Sequence, residues 1–415
     1  MKFQYLLILL IGLLVGCKKE TSKYKGLSYK DYISSDFNSF MVDKKKGEKI
    51  IIPEISDYDK PITISNILDT CFTVSLESNS KNLIGRIDEV KVVDNYIFVL
   101  DSRKSKGVFM FDLEGKYIRR IGELGRGPGE YPFPGDMAIN EKRKQIFIFN
   151  GNTRKVYKYN FNGEFLGDIT LDIGGYSIDL NEKGNLILFC QGYSNNHLGE
   201  IKNKVFYEID EKGNILSFGP SLSTDYHKVK MTIGNRISVR NQYISYSNKF
   251  SDTIYKLQNN KVNIQYVLDF GENILDREKL KSLKTNAFLK EIRDVKLMPN
   301  YRGIHYQTYN YLYFNFYYGN TIVNCYYNKN ESMLYASKII AFQNADCLYS
   351  YVPIATYNDY FISSLDAYNI VETKDYFLNE KNLEWIKRSK KTINRLNMLK
   401  IKNTDNPVLI FYKLK

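Results

Sequence analysis

From Lys49 onward, short runs of β-branched and aromatic residues alternate with turns rich in Asn, Asp and Gly, the pattern of many short strands. The apolar runs Tyr96–Leu100 and Gln145–Phe149 are each followed by a turn with a recurring signature. Phe111-Asp112-Leu113-Glu114-Gly115-Lys116 returns as Tyr159-Asn160-Phe161-Asn162-Gly163-Glu164 and as Ile209-Asp210-Glu211-Lys212-Gly213-Asn214. The glycines are 48 and 50 residues apart, and a weaker copy ending at Asn260 follows 47 residues after Gly213. An Asp or Asn at the first turn position caps the bend, and Gly or Asn at the fourth tolerates positive φ. Each copy therefore marks a hairpin.

A period in the forties with about four strands per unit reads as propeller blades, since one twisted sheet cannot bury both its faces without two neighbours. The units fall at roughly 83–121, 136–170, 176–218, 236–270 and 301–340, with a less regular part from 347. Strands near Ile50–Ile52, Ile62–Ile64 and Cys71–Leu76 need partners, as does Val408–Tyr412 at the far end. Both ends are expected to pair in one composite blade, which removes exposed edges. The fold class is all-β, a six-bladed β-propeller with seven blades as the fallback.

Two segments leave the β rhythm. Asp276–Leu297 carries Leu280, Leu283, Ala287, Ile292 and Val295 at helical spacing, a helical insertion expected to pack on a blade, the alternative being a lid over one mouth. Asn379–Met398, with Ile386, Ile393 and Leu396 on one stripe, predicts a helix before the closing strand.

The N-terminus has another character. Met1-Lys2 precedes an apolar run from Tyr5 to Val15, too short to cross a bilayer, and Leu14-Val15-Gly16-Cys17 matches a bacterial lipobox. Residues 1–16 are expected to be a lipoprotein signal peptide, with Cys17 as the lipidated (diacyl, palmitate-type) N-terminus of the mature chain. Residues 17–49, polar and lysine-rich, read as a flexible spacer, and 50–415 as the propeller. The expected location is the outer membrane, lipid-anchored and facing the periplasm or the cell surface.

Composition changes this little. The 415 residues carry a formal charge of +13, reduced to +12 without the signal, and the lysines are scattered over loops or gathered on a solvated helix face at Lys387–Lys391. No nucleic-acid partner is implied. Cys71, Cys190 and Cys325 lie in apolar alternating runs, as small buried hydrophobes do, and Cys347 completes a set of four whose pairing stays open.

Gly122-Glu123-Leu124-Gly125-Arg126-Gly127-Pro128-Gly129-Glu130-Tyr131 looks like the loop that opens blades in NHL-type propellers. With the lipobox, the 48-residue spacing and the closing Asn406-Pro407-Val408-Leu409-Ile410-Phe411-Tyr412, the chain resembles six-bladed β-propeller lipoproteins of Bacteroidetes. That resemblance implies a fold more than an activity.

Chemical signals are sparse. The Gly125–Glu130 loop has no Gly-Lys-Ser/Thr, and Pro128 removes an amide that an anion cradle would use, so it reads as an interblade turn. Arg126 and Glu130 are its candidate ligand-binding groups. His197, His227 and His305 come from separate regions, as do the zinc-binding histidines of an NHL-like amidating lyase, but form no close pair. No cofactor is expected; a calcium ion, as in lactonase-like propellers, would take oxygen ligands such as Asp94, Asp101 and Asp136. There is no Gly-x-Ser-x-Gly elbow and no His-Glu-x-x-His. The expectation is therefore a non-catalytic binding or scaffold module for an envelope protein or glycan. The alternative is a metal-assisted lyase or lactonase-like enzyme using the central channel.

Overall fold

The computed structural model describes residues 40–43, 47–53, 58–190, 193, 195–221, 237–240, 243–248, 251–271, 287, 300–319, 321–341, 352–379, 394 and 397–415. Six antiparallel four-stranded sheets follow one another around an axis. Blade 1 comprises Glu89–Val93, Tyr96–Asp101, Gly107–Asp112 and Tyr117–Ile121, and blade 2 Asp136–Asn140, Gln145–Asn150, Lys155–Asn160 and Phe165–Thr170. Blade 3 runs through Ser177–Leu180, Leu186–Phe189, Phe206–Ile209 and Ile215–Phe218. Blade 4 is built from Ile237–Arg240, Tyr243–Ser247, Thr253–Gln258 and Lys261–Asp269, and blade 5 from Asn300–Gln307, Tyr311–Tyr318, Thr321–Asn328 and Met333–Ser337.

Blade 6 is the composite one. Ala355–Tyr357 and Tyr360–Leu365 are followed by the C-terminal strand Val408–Leu414, and the outermost strand is Leu68–Ser75 from near the other end of the chain. Asn406 secures this closure: its Oδ1 accepts the Ile84 N–H at 2.7 Å, and its amide donates to the Glu77 and Asn82 carbonyls at 2.8 and 3.0 Å.

Packing explains why the second strands read as unbroken apolar runs. Successive side chains point to opposite faces, and in a propeller both faces are covered. Phe98 packs against Ile148 between blades 1 and 2, while the adjacent Val99 packs with Phe411 between blades 6 and 1. Phe149 and Leu188 join blades 2 and 3, Phe189 and Tyr246 blades 3 and 4, Ile254 and Phe314 blades 4 and 5, and Tyr313 and Ile410 blades 5 and 6. There is one apolar cluster per interface, and together they close the ring.

The repeated hairpins have the expected chemistry. Asp112, Asn160 and Asp210 each accept, through Oδ1, the backbone N–H four residues on, at 2.8, 2.9 and 2.7 Å. Gly115, Gly163 and Gly213 stand at φ 85°, 78° and 80°. At Gly115 a Cβ would also lie 2.3 Å from the Ser75 carbonyl oxygen, so two constraints act there at once. The weaker copy differs in type: Gln258 pairs directly with Lys261 across Asn259 and Asn260, both at positive φ, a two-residue turn of the primed kind.

Three expectations change. Only the Cys71 strand pairs with the C-terminus; Glu48–Ile51 instead adds in parallel to the last strand of blade 4, as does Met41–Asp43 within the stretch read as spacer. Ile62–Thr63 pairs in parallel with Ile340–Ala341 beside blade 5. The N-terminal strands have alternating apolar positions that any free edge accepts, so composition could not tell one blade from another. A helix precedes the closing strand as expected: Ala367–Asn379 is helical, and so are Asn394, Asn397 and Met398, the described helical residues toward the end of the expected segment, whose residues 380–393 lie outside the described ones. Cys71 is disulfide-bonded, whereas Cys190 and Cys325 are buried free thiols. The residues 1–39, His227, Cys347, Ile386, Ile393, Leu396, Lys387–Lys391 and, apart from Ala287, the segment 276–297 lie outside the described residues. No described helix is long and apolar enough to cross a membrane.

Candidate functional site: the central channel

The innermost strands of neighbouring blades lie side by side around the axis. Along the strand Glu89–Val93 of blade 1 runs a cavity of about 1420 Å³. It extends from Glu89 and Asp179 at its floor to a mouth ringed by the first turns of blades 1, 2 and 6, with Asn95, Arg143 and Asn358 among them.

The floor is held by charge. The Lys91 ammonium reaches past blade 2 to Asp179 of blade 3 at 2.7 Å and lies 3.4 Å from Glu89. Burial alone would lower the pKa of this lysine; the charges of Asp179 and Glu89 outweigh burial and raise it above the ordinary lysine range. Asp136 of blade 2 accepts the Ile178 N–H at 2.7 Å and is hydrogen-bonded to Glu89. Its burial and the Glu89 charge together push its carboxyl well above the usual range, against the pull of Lys91. Two carboxyls this close cannot both ionise cheaply, so the pair retains a proton, on Asp136, at pH values where an ordinary Asp has lost it. The arrangement binds three blades through one ammonium.

A second polar constellation lies between blades 4 and 5. His305 is buried, and its Nε2 is 2.8 Å from Ser245 Oγ, which in turn accepts the Gln307 amide at 3.0 Å. The His305 Nδ1 lies 3.1 Å from the Tyr301 hydroxyl and 3.4 Å from Ser247 Oγ. Burial lowers the His305 pKa to about 4, so the ring is neutral. A hydroxyl bonded to an imidazole has the form of an activated nucleophile, but Ser245 and His305 are each 1% exposed and no substrate reaches them.

The remaining sequence candidates separate. Asp101 accepts backbone N–H groups from Gly85, Arg86, Arg103, Lys104 and Ser105, and so caps a turn and its neighbour. Asp94 is ion-paired with Lys144 at the mouth. Of the three carboxylates considered for calcium, only Asp136 belongs to the channel floor. His197 Nε2 is 2.6 Å from the Asp172 carbonyl. Among the described residues no group of three or more His, Cys, Asp and Glu side chains is disposed to hold a metal ion. The Glu130 carboxylate accepts the Gly127 N–H at 2.8 Å within its own loop, and Arg126 is exposed. That loop leaves the last strand of blade 1, on the face opposite the channel mouth.

Sequence reasoning missed Lys91, Glu89 and Asp179. The available signal was polar residues inside innermost strands, at Glu89 and Lys91 in Glu89–Val93 and at Asp179 in Ser177–Leu180, where one face turns toward the axis.

No curated protein matches the chain. Among solved structures it is similar to a putative exported protein from Bacteroides fragilis, at 17% identity and TM-score 0.71 over 88% of this chain and 99% of that one. It is also similar to a member of the DUF4221 family from Bacteroides vulgatus, at 11% identity and TM-score 0.47 over 84% and 97% of the two chains. A catalytically inactive virginiamycin B lyase from Staphylococcus aureus aligns at 12% identity and TM-score 0.38 over 67% and 76%. At these identities the likeness is one of fold. The model of one sequence family, described as Domain of unknown function (DUF4934), matches residues 48–413, and the chain belongs to that family.

Proposed function

We propose that this protein is a lipid-anchored envelope module, tethered through Cys17, that binds its partner at the channel mouth without chemical conversion. One observation carries the reading: the charged groups at the base of the cavity are already spent on one another. Lys91 is held by two carboxylates and stays charged, and the proton of the Glu89–Asp136 pair sits beneath the cavity wall rather than on it. A rigid ring with turns around an open mouth suits recognition. A photo-reactive residue placed at Asn358 should cross-link an envelope component in intact cells, and one at Arg103, in a turn on the opposite face, should not. Equal labelling from both positions would sink the reading. Mass spectrometry of the membrane-extracted chain should find acyl groups on Cys17 that are lost in Cys17→Ser.

A second reading is a lyase or lactonase-like use of the same channel, in which the proton held between Asp136 and Glu89 reaches the cavity through Glu89, the member of the pair that lines it. In its metal-assisted form it requires a tightly held ion. Metal analysis of the purified chain, finding one divalent ion per molecule, would favour it over binding alone.

A further inference from the structure

We infer that the ligand of the channel mouth is a neutral, polyhydroxylated molecule, the end of an uncharged glycan; this rests on the mouth being the binding site. The first argument is electrostatic. Among the described residues the cavity wall carries three cations, and each already has a carboxylate partner: Lys91 has Asp179 and Glu89, Lys144 has Asp94, and Arg143 has Glu211. The wall also carries Glu141, which is exposed at the mouth. Among the described residues an acidic ligand would therefore find no unengaged cation and would meet a surplus carboxylate. Its desolvation would go uncompensated.

The second argument is the rest of the lining. Between the ion pairs stand Asn95, Asn162 and Asn358, all exposed at turns and able both to donate and to accept. Tyr96, Tyr306 and Tyr357 supply aromatic faces in the same wall. Tyr357 is fixed by its hydroxyl, which donates to the Asp94 carbonyl at 2.9 Å, so its ring is presented rather than mobile. Amides for hydroxyls and rings for the apolar faces of pyranoses are what an uncharged sugar requires, and preorganised rings lower the cost of binding.

The test is calorimetric titration of the full chain, in detergent, with neutral hexasaccharides of glucose, mannose and N-acetylglucosamine, and with hexagalacturonate as the acidic counterpart. At least one neutral hexasaccharide should bind, with hexagalacturonate weaker. Tyr357→Ala and Asn358→Ala should each weaken that binding about tenfold or more, Tyr357→Phe should keep most of it, and Arg103→Ala should leave it unchanged. Preference for hexagalacturonate, or no binding of any sugar while Asn358 still cross-links a partner in cells, would overturn the ligand class and leave the mouth as the site. Sugar binding unaffected by both mouth variants would overturn the mouth itself.

Discussion

The two buried polar constellations solve one problem in opposite ways. In blades 1 to 3, Glu89, Lys91 and Asp179 stay charged and offset burial by pairing across the axis, while Asp136 holds a proton against Glu89. In blades 4 and 5, Ser245, His305, Tyr301 and Gln307 hold no charge at all and satisfy each other as a chain of neutral donors and acceptors. Buried ions bring a large desolvation penalty that only good geometry offsets, whereas a neutral network risks little provided every member is satisfied. The charged set borders the open cavity; the neutral set is sealed between sheets. Placement decides which solution is used.

The comparison breaks most visibly at Lys91. Lys91→Met removes the ammonium that Glu89 and Asp179 share, which should cost about 3–5 kcal/mol. Urea unfolding at pH 7 measures it, and a loss below about 1 kcal/mol would show that the floor is wet enough to need no partner. Added calcium should recover part of the loss in Lys91→Ala, since oxygen ligands once held by an ammonium suit a hard cation, and should leave the parent chain unaffected.

Next comes the proton at His305. Its folded pKa of about 4 lies below the ordinary 6.5. The contribution of the neutral ring is therefore complete above pH 6.5 and lost as pH falls toward 4, as the unfolded chain takes up a proton that the folded chain refuses. The drop should be about 3 kcal/mol, seen as a falling urea midpoint. His305→Gln should be less stable at pH 7 yet show a flatter decline over that window; an unchanged slope would mean that another group is responsible. Ser245→Ala is the smaller neighbour of this change. It removes the hydroxyl beside His305 Nε2, at a cost of about 1–3 kcal/mol, while the Gln307 amide keeps Gln265 Oε1 at 3.1 Å, and circular dichroism melts should place it between the parent and His305→Gln.

Much of this molecule was legible in order along the chain. The turns at Asp112, Asn160 and Asp210 declared their hairpins because a cap and a positive-φ glycine are local requirements, and with the weaker copy at Asn260 they mark the first four blades. Closure by Val408–Leu414 was legible too, because an unpaired apolar strand at each end has few ways to be covered. What could not be read were pairings set by the ring. Lys91 and Asp179 are 88 residues apart and meet only across an axis that no local rule describes. Asp136 drew notice as an oxygen ligand, and His305 as a metal ligand, when the structure makes one a proton holder and the other a neutral ring. The edge that Ile50 joins is hidden for a related reason, since a parallel addition leaves no turn signal to mark its partner.

The smallest effect is the most discriminating. Asp136 has its folded pKa raised above the ordinary 3.8, so its contribution is complete below that value and lost as pH rises through the folded one. His305 acts in the reverse sense between pH 6.5 and about 4, and over this range the two slopes oppose each other. Asp136→Asn replaces a protonated carboxyl by a group of the same shape that cannot ionise. Its amide oxygen can still accept the Ile178 N–H, and its NH₂ can donate to Glu89, so stability at pH 7 should be unchanged or higher by about 1 kcal/mol at most. With the opposing slope gone, the variant should gain stability more steeply than the parent as pH rises from 4 to 6.5. Parallel urea-midpoint curves for the two chains would place the shared proton on Glu89 instead, at the wall of the cavity, where it could meet a bound ligand.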